Sequence, residues 1–270
     1  SIYQRQEFTK SVIKFFKEPA IDKIQEKIPG DLGDGLIFII GMPRSGTTLT
    51  ESIIATSEDS VAGGEKVFFS VNCRPIINQY QNGNLKSEAL LKLGVAYLDL
   101  IDIQRKGKRI FIDKMPENYL YYKFIQISLP LAKVINVHRD PWDNAISLFK
   151  QNYVNEITYA SSFFGIALEY ANYEHLMKKW KSETDQNILD VNYQDLVTKT
   201  EDTAKEIWDF CKLPGKYEKM RRKEYFAQTA SKQQIRKEIY TSSLKKTEFT
   251  DYFEDFTKNL EEQRLYWKNN

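Results

Sequence analysis

The stretch that most constrains this chain is residues 36–49, LIFIIGMPRSGTTL. Five apolar residues end in Gly41, a run too short for a helix but right for a strand buried on both faces of a parallel sheet. A loop over 41–46 follows. From Thr47 the spacing of Leu49, Ile53 and Ile54 predicts a helix with one buried side. Strand, glycine loop and helix start together place several backbone N–H groups around one anion.

The rest of the chain repeats the alternation. Helical spacing marks residues 1–28, where Val12, Phe15 and Phe16 share a side, and 85–105, 117–128, 160–182 and 200–211. Pro141 marks another helix start. RIFID (109–113), AKVINV (132–137) and NILDVNY (187–193) read as strands, and FTDYFEDF…LEEQRLYW reads as a closing helix. Alternating strands and helices predict an α/β fold of the P-loop type, three layers with a central, mostly parallel sheet flanked by helices. With 270 residues and no repeat or low-complexity linker, the reading is one domain over 36–270 preceded by a helical N-terminal extension over 1–35.

GMPRSGTT (41–48) can be set beside the nucleoside-triphosphatase loop G-x-x-x-x-G-K-[ST]. Gly41, Gly46 and Thr48 match, but Thr47 stands where the lysine that reaches the β/γ-phosphates would be. Hydroxyls on Ser45, Thr47 and Thr48 supply neutral donors and Arg44 a fixed charge. That set suits a single 5′-phosphate carrying something else, not a magnesium-bound triphosphate. A bare glycine turn joining strand to helix is the simpler alternative, and the flanking strand and helix weigh against it.

Composition removes other classes. Lys+Arg is 39 against Asp+Glu 37, a net charge of +2, so no global basic excess serves nucleic acid or an anionic membrane. Two cysteines and two histidines make neither a disulfide framework nor a zinc pattern. No apolar run is long enough to span a bilayer, and SIYQRQEFTK does not read as a signal peptide.

A second motif, VINVHRDPWDNAISLF (134–149), again runs from strand into helix. Arg139 lies at the strand end and Ser147 eight residues later, two turns into the helix. Alone, an Arg–Asp pair before proline is an ordinary capped helix start; with the first loop it reads as a second anion site.

PRSGTTL and HRDPWDNAIS resemble the 5′-phosphosulfate and 3′-phosphate binding motifs of sulfotransferases, nearest the tyrosylprotein sulfotransferases and the bacterial sulfotransferases that follow tetratricopeptide repeats. The resemblance covers most of 36–246. It implies a donor, 3′-phosphoadenosine 5′-phosphosulfate, with no γ-phosphate and no required metal. It implies that Arg44, Ser45, Gly46, Thr47, Thr48 and Leu49 hold the 5′-phosphosulfate, Arg44 also standing near the transferred group, and that Arg139 and Ser147 hold the 3′-phosphate. Glu65, in GGEK (63–66), falls at the place of a catalytic base. Lys114 in IDKMP falls at the place of a lysine facing the leaving group, and Tyr193 in VNYQDLV at that of a donor-site tyrosine. Ser231 and Lys246, in TASKQQIRKEIYTSSLKK, match the last donor segment. Glu65 is expected within hydrogen-bond reach of an acceptor hydroxyl, its pKa raised by burial.

The chain departs from that pattern in places. Ala62 replaces a cysteine of a luminal disulfide, which points to a reducing compartment, a bacterial cytoplasm. Val67 replaces an arginine that meets acidic peptides, and Glu238 and Thr247 stand where Pro and Trp are usual. The acceptor hydroxyl is left open among tyrosine, a sugar and a small metabolite. A P-loop nucleotide or small-molecule kinase, and a non-catalytic nucleotide-binding module, are the competing readings.

Overall fold

A computed structural model describes residues 2–151, 157–183, 187–215, 217 and 249–269. Its centre is β1 (Leu36–Gly41), whose six residues are all buried. Alternation along the strand divides them between two cores. Leu36, Phe38 and Ile40 belong to one hydrophobic cluster, Ile37 and Ile39 to the other. The unbroken apolar run therefore has a physical reason: water reaches neither face of the strand.

β1 is flanked by β3 (Ile110–Asp113) and β4 (Lys133–His138). β2 (Ser60–Ala62) and β5 (Ile188–Asn192) form the two edges. The order is β2-β3-β1-β4-β5, and every pair is parallel. The predicted α/β class with a central parallel sheet is the architecture found. From β1 the chain crosses over to β2, returns to β3, then passes to the far side of β1 as β4. The strand order thus reverses at β1/β4, the crevice where parallel α/β sheets bind ligands beyond their carboxyl ends. The register pairs Gly41 with Val137, so the residues following both strands emerge side by side there.

One face carries α3 (Thr47–Ile54), α9 (Tyr193–Thr198) and α10 (Thr200–Cys211), contributing Ile53, Ile54, Leu196, Ile207 and Trp208 to its core. The other face is thicker. It holds α1 (Ile2–Phe16), α2 (Pro19–Gln25), α4 (Phe68–Gln81), α5 (Ala89–Arg105), α6 (Tyr122–Ser128), α7 (Pro141–Phe149), α8 (Phe163–Glu183) and the C-terminal helix (Phe253–Asn269). α1 is tied into this layer by more than apolar contact. Arg5 donates to Glu117 and to Glu169, each at 2.8 Å, and the Glu169 side chain is fully buried.

Several boundaries differ from the sequence reading. α4 was not expected, because Pro75 interrupts its pattern. A 3-10 turn, Pro116–Tyr121, precedes α6. The last strand stops at Asn192, whose side chain accepts from the Gln194 N–H and caps α9, so Tyr193 is helical. No helix among the described residues is long and apolar enough to cross a membrane.

Candidate functional site

The phosphate loop owes its shape to two glycines and one strained arginine. Gly41 has φ 143°, and a Cβ there would lie 2.2 Å from the Val137 carbonyl oxygen. Gly46, the residue before α3, has φ 110°, and a Cβ there would lie 2.6 Å from Cδ2 of Tyr193. Between them Arg44 adopts φ 70°, a left-handed conformation that costs a non-glycine residue about 1 kcal/mol or more. The N–H groups of the first turn of α3 have no intrahelical partners and face the loop. Ser45 is fully buried, and its Oγ has no hydrogen-bond partner among the described residues. A buried hydroxyl left so at a helix N-terminus fits an anionic ligand, which would supply the acceptor it lacks.

The second motif closes on this loop. Asp140 caps α7 by accepting from the N–H groups of Trp142 and Asp143, both at 3.1 Å, and Pro141 begins the helix without an N–H to satisfy. That start turns Ser147 inward, where its Oγ accepts from Arg44 Nε at 3.3 Å. Arg139 Nη1 donates to the Arg44 carbonyl at 3.3 Å, and its guanidinium lies over the Tyr193 ring at 4.4 Å. Burial pulls the Arg139 pKa down, an effect opposed by Tyr193 and Asp143. The structure therefore brings Arg44, Ser45, Gly46, Thr47, Arg139, Ser147 and Tyr193 to one place. Thr48 and Leu49 follow in the first turn of α3, both half-buried. Ser231 and Lys246 lie outside the described residues.

Asn144 also belongs to this assembly. It is fully buried and donates through Nδ2 to the Pro43 carbonyl at 3.0 Å, stapling α7 to the loop. The sequence holds the residue within the quoted motif, but nothing in its spacing shows that it reaches back to Pro43.

The remaining candidates sit at the ends of β2 and β3. The glycine turn after β2 is pinned to β3: Gly63 N–H donates to Ile112 O at 2.7 Å, and Lys114 N–H donates to Gly64 O at 3.0 Å. Gly63 is required because a Cβ there would strike the Phe111 ring at 2.2 Å. From this turn Glu65 forms an ion pair with Lys114. The Lys114 side chain is 11% exposed, whereas that of Glu65 is 55% exposed. The burial expected for Glu65 is thus absent in this arrangement. It falls instead on two carboxyls the sequence reading did not single out. Burial raises the pKa of Glu51, on the second turn of α3, with Lys114 pulling it back down. Burial pushes Asp113 up to about 7, against a hydrogen bond from Tyr97 Oη at 2.7 Å.

Two clefts open beside β4 and β5. One, of about 320 Å³, is lined by His138, Arg139, Asp143, Tyr170, Tyr193 and Gln194 and so adjoins the Arg139 site. The larger, about 1020 Å³, lies between α8 and the C-terminal helix, meets the first at His138, Tyr170, Glu174 and Arg264, and includes none of the candidate catalytic residues. Among the described residues no group of three or more His, Cys, Asp or Glu side chains is placed to hold a metal ion.

A sulfotransferase family profile matches residues 36–218. An uncharacterized protein of Aquifex aeolicus (strain VF5) is 33% identical over 231 residues, which are 78% of this chain and 30% of that protein. The chain therefore spans about 30% of the length of that curated relative. Among solved structures, the sulfotransferase domain from the Synechococcus PCC 7002 olefin synthase superposes with TM-score 0.55 and 18% identity, over 87% of this chain and 97% of that one. Sulfotransferase STF9 from Mycobacterium avium superposes with TM-score 0.50 and 13% identity, over 77% and 72%. These likenesses show a shared fold. The profile runs from β1 and its phosphate loop through the Glu65 turn, Lys114, Arg139 and Ser147 to Tyr193 and beyond, and the chain belongs to the sulfotransferase family.

Proposed function

We propose that this chain transfers a sulfuryl group from 3′-phosphoadenosine 5′-phosphosulfate to an acceptor hydroxyl by in-line displacement without a metal. The observation that carries the reading is the phosphate loop with Thr47 in the lysine position, closed by the Arg44–Ser147 contact and by Arg139 stacked on Tyr193. Two separated cationic positions beside one helix N-terminus suit a nucleotide with a 5′ and a 3′ phosphate and no γ-phosphate. In this reading Arg44 to Leu49 bind the 5′-phosphosulfate. Arg139, Ser147 and Tyr193 bind the 3′-phosphate end, with Ser231 and Lys246 completing it.

The chemistry asks little covalent work of the protein, because charge builds on the departing phosphate oxygen as it does in phosphoryl transfer. The acceptor O–H bond breaks and its proton passes to the Glu65 carboxylate. The acceptor oxygen bonds to sulfur, and the S–O bond to the 5′-phosphate breaks with its electron pair on the phosphate. Arg44 and Lys114 are fixed cations beside that developing charge. Residues 36–270 form the catalytic domain, with 1–35 a helical extension packed on it through Arg5. The acceptor is a tyrosine, sugar or small-metabolite hydroxyl. The tyrosylprotein and tetratricopeptide-linked branch supplies the nearest motifs, and a reducing bacterial cytoplasm is the setting they suggest.

The test is thermal unfolding with adenosine 3′,5′-bisphosphate, run in parallel with ATP and magnesium. A ligand at 100 times its Kd stabilises by about 2.7 kcal/mol, and for a chain of this size each kcal/mol moves Tm by roughly 2–4 °C. A rise of several degrees with the bisphosphate alone is expected. A rise only with ATP and magnesium would replace the reading with a kinase, and no rise with either would leave a non-catalytic module.

A further inference from the structure

The transfer reading leaves the cleft of about 1020 Å³ between α8 and the C-terminal helix without a task. Its volume is that of a small-molecule site. Asn136 of β4 and Asp190 of β5, neighbours in the strand register, line one side of it. Asn136 Nδ2 donates to Asp190 Oδ1 at 2.9 Å, and Tyr173 Oη donates to Asn136 Oδ1 at 2.8 Å. The polar groups on the sheet thus satisfy one another. The helices on the other side do not close their accounts in the same way.

Five cations line the cleft, Lys178, Lys179, Lys181, Arg264 and Lys268, against the carboxylates Glu174 and Asp190. Arg264 is engaged by both oxygens of Glu174, at 2.6 and 2.7 Å. Lys181 pairs with Asp190, and Lys179 with Glu183 at 2.9 Å. Lys178 and Lys268, both exposed, have no carboxylate partner among the described residues. They flank one aromatic pair. Trp267 stacks on His175 with ring centroids 4.6 Å apart; Lys178 stands one turn along α8 from His175, and Lys268 follows Trp267. Trp267 lines the cleft and is 4% exposed, and its Nε1–H meets no acceptor among the described residues. A buried donor left so is uncommon. The two ammonium groups and the indole are donors only, so what all three lack is an acceptor.

We propose that this cleft binds a further ligand, separate from the donor and acceptor of the transfer: an anion carried on a planar ring, of the class of aryl sulfate or phosphate esters. Its ring lies along Trp267. Its charge is met by Lys178 and Lys268, and its oxygens supply the acceptor that the indole lacks. The site borders the donor cleft through Tyr170, which lines both and donates its hydroxyl to the Arg139 carbonyl. A ligand here therefore rests against a side chain that holds the donor-site arginine. The inference stands apart from the transfer reading, since Trp267, Lys178 and Lys268 have no part in the transfer.

The test is calorimetric titration with 2-naphthyl sulfate, alongside sodium sulfate for the charge alone and 2-naphthol for the ring alone. The ester should bind at least about tenfold more tightly than either half. Reversing both exposed cations, Lys178→Glu with Lys268→Glu, should weaken the ester at least about tenfold. Trp267→Phe, which keeps a ring and removes the N–H, should weaken it about tenfold, as loss of a hydrogen bond to a charged group does. The ester should still bind when adenosine 3′,5′-bisphosphate is present in excess. No binding by the ester, an affinity that either variant leaves untouched, or displacement by the bisphosphate overturns the inference; displacement would put the ester in the donor site. Should Trp267→Phe fail to fold, the lysine reversals decide the matter alone. The bisphosphate is also titrated by itself: absence of heat there counts against the sulfotransferase reading and leaves the titrations of the cleft variants interpretable.

Discussion

The two halves of the candidate site are built differently. The half at the ends of β1 and β4 is enclosed and held by the main chain: two glycines without room for a Cβ, Asn144 stapled to Pro43, and Arg139 wedged between the Arg44 carbonyl and the Tyr193 ring. The half at the ends of β2 and β3 is pinned by main-chain hydrogen bonds too, but what it presents is charge: Lys114 paired with Glu65, which stands open to water. Under the proposed transfer, the enclosed half would take the donor and the open, charged half would meet the acceptor.

The largest expected effect separates chemistry from binding. Glu65→Ala should lower turnover by roughly 10²–10⁴-fold, while the affinity for adenosine 3′,5′-bisphosphate, read by calorimetry, stays within about twofold. Near wild-type turnover would remove Glu65 from the role of base and the charged half from the chemistry. Next, Gly41→Ala should destabilise the fold by about 3 kcal/mol, measured by denaturant unfolding. Its Cβ meets a backbone carbonyl of the neighbouring strand, which has no freedom to retreat. A neutral outcome would show that the donor half is softer than its geometry implies.

A smaller effect is expected of Arg139→Met, which keeps the stem and removes the charge. Bisphosphate Kd should rise about 10–100-fold, as loss of a hydrogen bond to a charged group does, with a modest fall in the midpoint of unliganded unfolding from the lost contacts to the Arg44 carbonyl and the Tyr193 ring. An unchanged Kd would take Arg139 out of the donor site. The smallest effect concerns Asp113. Its folded pKa of about 7 lies above the ordinary value of 3.8, so between those pH values the folded protein holds a proton that the unfolded chain has lost. Rising pH therefore works against folding. The stability this group contributes is full below pH 4 and lost by about pH 7. Asp113→Asn should flatten the slope of stability against pH over that interval; an unaltered slope would show that Asp113 titrates as an ordinary carboxylate.

The enclosed half was legible in the sequence and the charged half only partly. An unbroken apolar run, two glycines and a cap before proline are local signals, and local signals place Arg44, Ser45 and Arg139 on their loops and Ser147 on its helix. Tyr193 could be picked out by its motif, though not its place at the start of α9. Glu65 and Lys114 are 49 residues apart, and their pairing depends on β2 lying beside β3, which a three-residue strand does not announce. Glu51 was invisible too. On α3 it is one polar residue among several, and no local signal marks the burial that raises its pKa. α4 was hidden by Pro75, although its Phe69, Cys73 and Ile77 are buried at helical spacing.

The position of β1 at the middle of the sheet has a consequence for biosynthesis. The strand is made before both of its neighbours: β3 ends at residue 113 and β4 at residue 138. At a translation rate of about 5–20 residues per second, the interval between completing β1 and completing β4 is roughly 5–20 s. Until β3 is complete both hydrogen-bonding edges of this apolar run are unpaired, and from then until β4 is complete one edge still is. The nascent chain thus carries a sticky strand edge until the β4 segment has been made. Shielding of that edge by the ribosome exit tunnel or by a chaperone would guard the segment against pairing with other chains during that time.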